Sequence, residues 1–254
     1  MTTLRQRLAT SRCLVGTIVC SDSTVIAEVA ALSGIDWVFF DLEHSANSVE
    51  TTQRQIQAIA GRVLSMVRVK AADVATIGKV LDIGSNGVIV AQVHSAAIAR
   101  AAVGAAKYPP IGHRGVGIGR AHAYGAGFSD YVSAANRDTS LIVEIESAAA
   151  VAAVDEIAAV EGIDGLFIGP YDLSASMGLS GEVRHPAVLA AIDKVRAAAG
   201  RAGLPLGIFV ATDGPAQDLM NDYQLLLVGS DVARFRQSLE HTISSVLMPT
   251  TSSV

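Results

Sequence analysis

The sequence predicts an α/β fold of the (β/α)8 (TIM) barrel class, on three observations. Apolar runs of strand length alternate with longer Ala-rich stretches of helical period. The runs are near-continuous Val, Ile and Leu, the mark of parallel strands buried on both faces beneath helices. Eight such strand–helix units fit into 254 residues, the usual measure of this barrel. A doubly wound open sheet has the same periodicity, because periodicity does not show closure.

The units run in order along the chain. CLVGTIVC (13–20) precedes a helical stretch near 23–33, WVFFDLE (37–43) one near 48–60, and LSMVRVK (64–70) one near 73–82. GVIVAQV (87–93) leads to 95–106, and SLIVEIES (140–147) to 148–160. GLFIGP (165–170) is followed by 186–202, PLGIFVA (205–211) by 213–221, and QLLLVGS (224–230) by 231–247. One stretch breaks the rhythm: residues 107–139 form a Gly-rich excursion with a helix expected around 128–136. Loops of that length in compact domains are usually functional or interfacial.

Half of the residues are hydrophobic and 17% are charged, enough for a large core, and we expect a single domain over 1–254. The net charge of −5 has no basic cluster to set against it, which argues against nucleic-acid and anionic-membrane partners. No apolar run reaches the ~18 residues of a spanning helix. The N-terminal MTTLRQRLATSRCLVG lacks the apolar centre of a secretion signal. Cys13 and Cys20 read as small buried apolar residues, not as a disulfide framework or metal cluster. The expected location is the cytoplasm.

In a (β/α)8 barrel the catalytic groups come from the C-terminal strand ends and the loops after them. Strand two ends in Asp41, Glu43, His44 and Ser45, and strand three in Arg68 and Lys70. Strand five delivers Glu144 and Glu146, two apart and so on one side. Strand six leads to Asp172, and strand eight to Ser230 and Asp231, the latter expected to cap the last helix. Each could be a solvated strand end, and Asp172 could simply cap a turn. Two inward acids in an apolar strand, however, repel without a cation. Carboxylates from adjacent strands with open coordination positions suit a hard cation such as Mg²⁺ or Mn²⁺. The absence of a Cys/His cluster speaks against structural zinc.

FFDLEHSANS, VRVK, LDIGSNGVIVAQV, YPPIGHRGVG, LIVEIES and EGIDGLFIGPYDLSASMG, in this order, resemble the HpcH/HpaI family of class II, metal-dependent pyruvate aldolases. The resemblance runs from about residue 14 to 231 and includes members acting on 4-hydroxy-2-oxoheptanedioate and 2-dehydro-3-deoxyglucarate. It implies a homohexameric barrel, a trimer of dimers with the last helix packed on a neighbour. It implies reversible cleavage of 4-hydroxy-2-oxo acids to pyruvate, or hydroxypyruvate, and an aldehyde. Carried over, Glu146 and Asp172 hold a divalent cation (Mg²⁺, Mn²⁺ or Co²⁺), Arg68 binds the 2-oxo oxygen, and His44 is the base, paired with Asp82. The turn Gly169–Pro170 opens a helix that can seat the substrate carboxylate. Asp82 ends a helix on the N-terminal side of the barrel, so a dyad with His44 requires a second subunit. Glu144 stands where the family often has glutamine. Tyr171 replaces a small residue, and with Phe209 it crowds the acceptor side, favouring a short or hydroxylated aldehyde over a long dicarboxylate semialdehyde.

Three other readings compete. A Schiff-base aldolase would need a nucleophilic lysine, and of Lys70, Lys79, Lys107 and Lys194 only Lys70 ends a strand. A CoA-thioester lyase of the citrate-lyase and malyl-CoA-lyase branch would share the barrel, but this chain has no added adenine-binding segment. A non-catalytic oxo-acid binding protein would show no cation-dependent pyruvate release.

Overall fold

The computed structural model describes residues 3–71, 73–211 and 219–247. Eight parallel strands close into a barrel in sequence order: β1 (Leu14–Val19), β2 (Trp37–Asp41), β3 (Leu64–Lys70), β4 (Gly87–Ala91), β5 (Ser140–Ile145), β6 (Gly165–Ile168), β7 (Leu206–Val210) and β8 (Leu225–Ser230). The ring is completed where Leu14 of β1 lies opposite Leu225 of β8, which removes the open-sheet alternative. The helices are α1 (Leu4–Thr10), α2 (Thr24–Leu32), α3 (Val49–Ile59), α4 (Val74–Asp82), α5 (Ala96–Ala106), α6 (Phe128–Asp138), α7 (Ala148–Ala152), α8 (Val154–Ala158), α9 (Pro170–Ser176), α10 (Pro186–Ala202) and α11 (Asp231–Leu247).

Helix entries follow from local chemistry. Ser23, Ser48, Asp73, Ser95 and Ser147 each accept a hydrogen bond from the backbone N–H three residues on. An oxygen there satisfies a donor that the first turn leaves without a partner.

The strand period of two divides each apolar run between two cores. Val38, Val67, Val88 and Val143 face outward against the helices. Trp37, Phe39, Leu64, Met66, Ile142 and Phe167 face the barrel axis. The rings of Trp37, Phe39 and Phe167 lie 6.2–6.3 Å from one another. Room for them comes from missing side chains on neighbouring strands. A Cβ on Gly16 would stand 2.6 Å from the Trp37 ring, and one on Gly207 2.3 Å from Phe167. The same parity decides what lies above this aromatic floor. Two residues past Phe39, Met66 and Ile142 come Asp41, Arg68 and Glu144, so the axis-facing rows end in charge at the C-terminal mouth.

The structure differs from the sequence reading in places. Helix α1 was not anticipated: seven residues are too short for a periodicity signal, although Thr3 and Gln6 form a capping box that opens it. The stretch 148–160 divides at Ala153 into α7 and α8. The expected helix near 213–221 falls largely on 212–218, outside the described residues. The excursion 107–139 holds a 3₁₀ turn, Arg120–Gly125, besides α6. Asp231 does not cap the last helix. Ser230 Oγ accepts from the Ala233 N–H, while the Asp231 carboxylate turns back to accept from the N–H groups of Cys20 and Ser21 and the Ser21 hydroxyl, tying β8 to the end of β1.

Helix α11 stands apart energetically. None of its residues is buried, and Val232, Phe235, Leu239, Ile243 and Val246 are 48–77% exposed. Among the described residues, no helix is long and apolar enough to cross a membrane.

Candidate active site

The site is built around Arg68, which lies opposite Asp41 in the β2–β3 register. Its Nε and Nη2 donate to the two oxygens of Asp41 at 3.0 and 2.8 Å, a planar fork on a planar carboxylate. Nη1 points the other way, 3.5 Å from both oxygens of Glu144, and Glu43 Oε2 stands 3.5 Å from Nε. The guanidinium lies over the Phe39 ring, 5.2 Å from its centre. Burial works against the charge on Arg68, but its hydrogen bonds to Asp41 and the nearby Glu144 and Glu43 carboxylates overcome it and raise its pKa. Burial also opposes the Asp41 charge, yet the hydrogen bonds from Arg68 hold that carboxyl below its ordinary range.

The other acids are not so well served. Burial pushes Glu144 up to about 8, against the pull of Arg68. Burial likewise pushes Glu146 up to about 7, with Glu43 and Asp172 adding repulsion and the Gln92 N–H opposing it. Glu43 Oε2 is buried and accepts no hydrogen bond. Such an orphan oxygen beside crowded carboxylates is what a site short of positive charge looks like.

Gly169 lets β6 pass this cluster: a Cβ there would be 3.0 Å from Glu144 Oε1 and 3.1 Å from Glu146 Cβ. Pro170 then starts α9, whose first turn carries Asp172 exposed at the mouth. Tyr171 packs against Phe209 with ring centres 6.0 Å apart. A cavity of about 170 Å³ results, lined by His44, Arg68, Glu144, Gly169, Pro170, Tyr171, Asp172 and Phe209, with Phe39 and Phe167 beneath. A larger hollow, about 760 Å³, lies at the opposite end between α1 and α10. Its arginines, Arg5 and Arg196, are already paired with Asp164 and with Asp193 and Asp222, and barrels of this class do not place their chemistry at that end.

The residues singled out from the sequence therefore sort clearly. His44, Arg68, Gly169, Pro170, Tyr171, Asp172 and Phe209 meet at one cavity, with Glu146 beside it. His44 is 57% exposed, its Nε2 3.9 Å from Glu43 Oε2. Asp82 does not join them within the chain. It ends α4 on the N-terminal side, its carboxylate held by Arg114 Nη2 at 2.5 Å. The Arg114 side chain is 1% exposed, stacked between Tyr108 and Tyr131, while that of Asp82 is 36% exposed. Lys70 is exposed and does not line the cavity, and Lys107 is buried at the far end against Asp164. A Schiff-base lysine is thus not placed at this cavity.

Among the described residues, no group of three or more His, Cys, Asp or Glu side chains is arranged to hold a metal ion. Two carboxylates, Glu146 and Asp172, with a buried Glu43 oxygen nearby that accepts no hydrogen bond, fit a largely hydrated hard cation, not a tight protein cage. Sequence reasoning missed Gln92. It follows β4 with φ +60°, donates its N–H to Glu146 Oε1 and donates its amide to Glu43 Oε1. A left-handed backbone at glutamine leaves no mark in a sequence.

An axis-centred cavity at the C-terminal mouth of a closed eight-stranded barrel is the arrangement of a barrel enzyme site. The chain matches the family described as HpcH/HpaI aldolase/citrate lyase over residues 15–238, and it belongs to that family. A curated relative, the 2-keto-3-deoxy-L-rhamnonate aldolase of Klebsiella pneumoniae, is 42% identical over 173 residues, which are 67% of this chain and 65% of the relative. The matched region thus spans somewhat under two thirds of that relative's length. An HpcH/HpaI aldolase structure from Desulfitobacterium hafniense superposes with a TM-score of 0.91 at 30% identity over the whole of both chains. A family protein from Burkholderia cenocepacia gives 0.92 at 34% identity, covering 98% of this chain and 100% of that one.

Proposed function

We propose that this protein, acting as one catalytic domain over 1–254, is a divalent-cation-dependent aldolase. It reversibly cleaves 4-hydroxy-2-oxo acids, including 2-keto-3-deoxy sugar acids, to pyruvate or hydroxypyruvate and an aldehyde. The observation that carries this reading is the meeting, at one small cavity, of an oriented guanidinium with two carboxylates fit for a hard cation.

When bound by Glu146 and Asp172, Mg²⁺, Mn²⁺ or Co²⁺ would supply Lewis-acid polarisation of the 2-oxo group. Arg68 is gripped by Asp41 on one edge, and its Nη1, held only by two long contacts of 3.5 Å to Glu144, is the group that turns to the substrate. As the C3–C4 bond breaks, its electron pair moves into an enolate, and the fixed charge of Arg68 stabilises the enolate oxygen. His44, exposed at the mouth, takes the proton of the C4 hydroxyl as the aldehyde carbonyl forms. Protonation at C3 then gives pyruvate. The Tyr171–Phe209 pair lies where the departing aldehyde must pass and suits a short or hydroxylated one.

The assembly belongs to the same reading. The apolar stripe of α11 and the exposed Val25, Val29 and Leu32 of α2 call for cover, which a homohexamer built as a trimer of dimers provides. Asp82, presented at the surface by buried Arg114, then reaches the His44 of a neighbouring copy. The free Cys13 and Cys20 accord with a cytoplasmic location.

The test is a panel of 4-hydroxy-2-oxo acids, 2-keto-3-deoxy-L-rhamnonate among them, assayed for pyruvate or hydroxypyruvate release. Chelator-stripped protein is expected to be inactive until Mg²⁺, Mn²⁺ or Co²⁺ is restored. Full activity when stripped overturns the cation requirement, and no release from any compound overturns the aldolase reading. For the assembly, inactive Asp82→Asn and His44→Ala proteins are mixed. Recovered activity supports the shared site, and a monomer by light scattering refutes it.

A further inference from the structure

Gln92 is exposed between the buried Ala91 and Val93. Its φ of +60° lies in the left-handed region that a glutamine seldom enters. The β4–β5 pairing ends at Val90 opposite Val143, and two residues later the chain makes this turn. The turn aims two donors of one residue at two different acids. The backbone N–H donates to Glu146 Oε1 at 2.6 Å. The side-chain Nε2 donates to Glu43 Oε1 at 2.7 Å. An unusual backbone at the mouth of a barrel, whose residue directs both its donors at acids of the site, is the kind of strain that marks a functional constraint.

The consequences for the two acids are complementary. Glu146 has one oxygen committed to the backbone, which fixes its rotamer and leaves Oε2 uncommitted. Glu43 has a side chain only 1% exposed, with Oε2 buried and without a hydrogen bond, 3.5 Å from Arg68 Nε and 3.9 Å from His44 Nε2. Arg68 Nε already donates to Asp41. Without the amide of Gln92, the Glu43 carboxylate, already 3.5 Å from Arg68 Nε, would be free to close on it and compete with Asp41.

We propose that Gln92 is the positioning residue of the cation site: its left-handed backbone fixes Glu146 so that one oxygen stays free for the cation, and its amide holds Glu43 in place beside it. This rests on the cation reading given above. Removing a partner that orients a metal ligand typically weakens metal affinity about 10–100-fold.

The test uses Mn²⁺ as probe, titrated into chelator-stripped protein, with free Mn²⁺ followed by its paramagnetic resonance signal. Gln92→Gly adopts the left-handed turn without strain, so the backbone N–H stays on Glu146 and only the amide is lost. Gln92→Met keeps the length of the side chain without the amide. Both are expected to melt within a few degrees of wild type without metal, Gln92→Gly at or above it, and both to bind Mn²⁺ about tenfold more weakly. Wild-type Mn²⁺ affinity in either folded variant overturns the assignment of Gln92 alone. Failure of the wild-type protein to bind Mn²⁺ overturns the cation reading, and this inference with it.

Discussion

At the N-terminal end of the barrel, Lys107 is 2% exposed and its ammonium group has a partner in every direction. It donates to Asp164 Oδ2 at 2.7 Å and to the carbonyls of Thr139 and Asn136. Asp164 in turn accepts from Arg5 and from the Leu141 N–H. At the C-terminal end one arginine faces Asp41, Glu43 and Glu144, the buried Glu43 Oε2 accepts no hydrogen bond from the described residues, and two carboxyls are pushed up towards neutrality. Burial is equally deep at both ends. A balanced network holds strands and loops in place, whereas an unbalanced one leaves a deficit of positive charge for a ligand to fill. That difference, more than depth or cavity size, separates the structural end from the end where chemistry is expected.

The largest effect should come from removing the acids that would hold the cation. Glu146→Ala or Asp172→Ala is expected to lower pyruvate release by about 10³-fold or more, since even one preorganised donor to a developing oxyanion contributes about 10²–10³. Calorimetry should show lost cation binding while melting is preserved. Retained cation binding in both variants would remove these acids from the site.

Next comes Arg68→Lys, which keeps the charge but loses the fork that grips Asp41. A fall in kcat of about 10²–10³ is expected, with a smaller change in pyruvate binding. Exchange of the pyruvate methyl protons in heavy water, without aldehyde, should fall in parallel. Exchange at the wild-type rate would detach Arg68 from the enolate.

The opposite end is weakened by Lys107→Met, which leaves Asp164 only the exposed Arg5 and the Leu141 N–H. Because Arg5 remains, the loss should fall below the about 3–5 kcal/mol of a fully stranded buried charge, still measurable by urea unfolding. Turnover per folded molecule should stay as in wild type. If it falls as well, the two ends are coupled and the contrast between them fails.

The last prediction is a pH slope. Glu144 and Glu146 have folded pKa values of about 8 and about 7, above the unfolded carboxyl value of about 4.3. Between these limits the folded chain binds more protons than the unfolded one, so this stabilisation is full below the unfolded value and is lost as pH rises through 7 to 8. Metal-free protein should therefore melt at progressively lower temperature from about pH 5 to pH 8, a trend that Glu144→Gln should flatten. A melting temperature that rises across this range would contradict the crowding of these acids.

Much of the fold was legible because burial on two faces writes itself as unbroken apolar runs, and strand parity carries those runs to named charges at one end. Arg68, Glu144, Glu146 and Asp172 could be placed at the mouth by counting along strands. Contacts that join distant positions left no such trace. The hold of Arg114 on Asp82 spans 32 residues, and the Gln92 turn is a backbone angle. Helix α1 is too short to show a period, and a cap is inferred from its own helix, whereas the Asp231 carboxylate, besides the adjacent Val232 N–H, takes its partners from across the β8–β1 seam.

The triangle of Trp37, Phe39 and Phe167, made possible by Gly16 and Gly207, has a consequence for how such a protein can change over time. These rings wall off the mouth from the base like a bulkhead. Sequence drift on one side meets little resistance from the other. New acids, aromatics or polar groups can be tried around the mouth while Lys107, Asp164 and Arg5 go on anchoring the far end. A lineage keeping the bulkhead intact could diversify its substrates without having to reinvent its barrel.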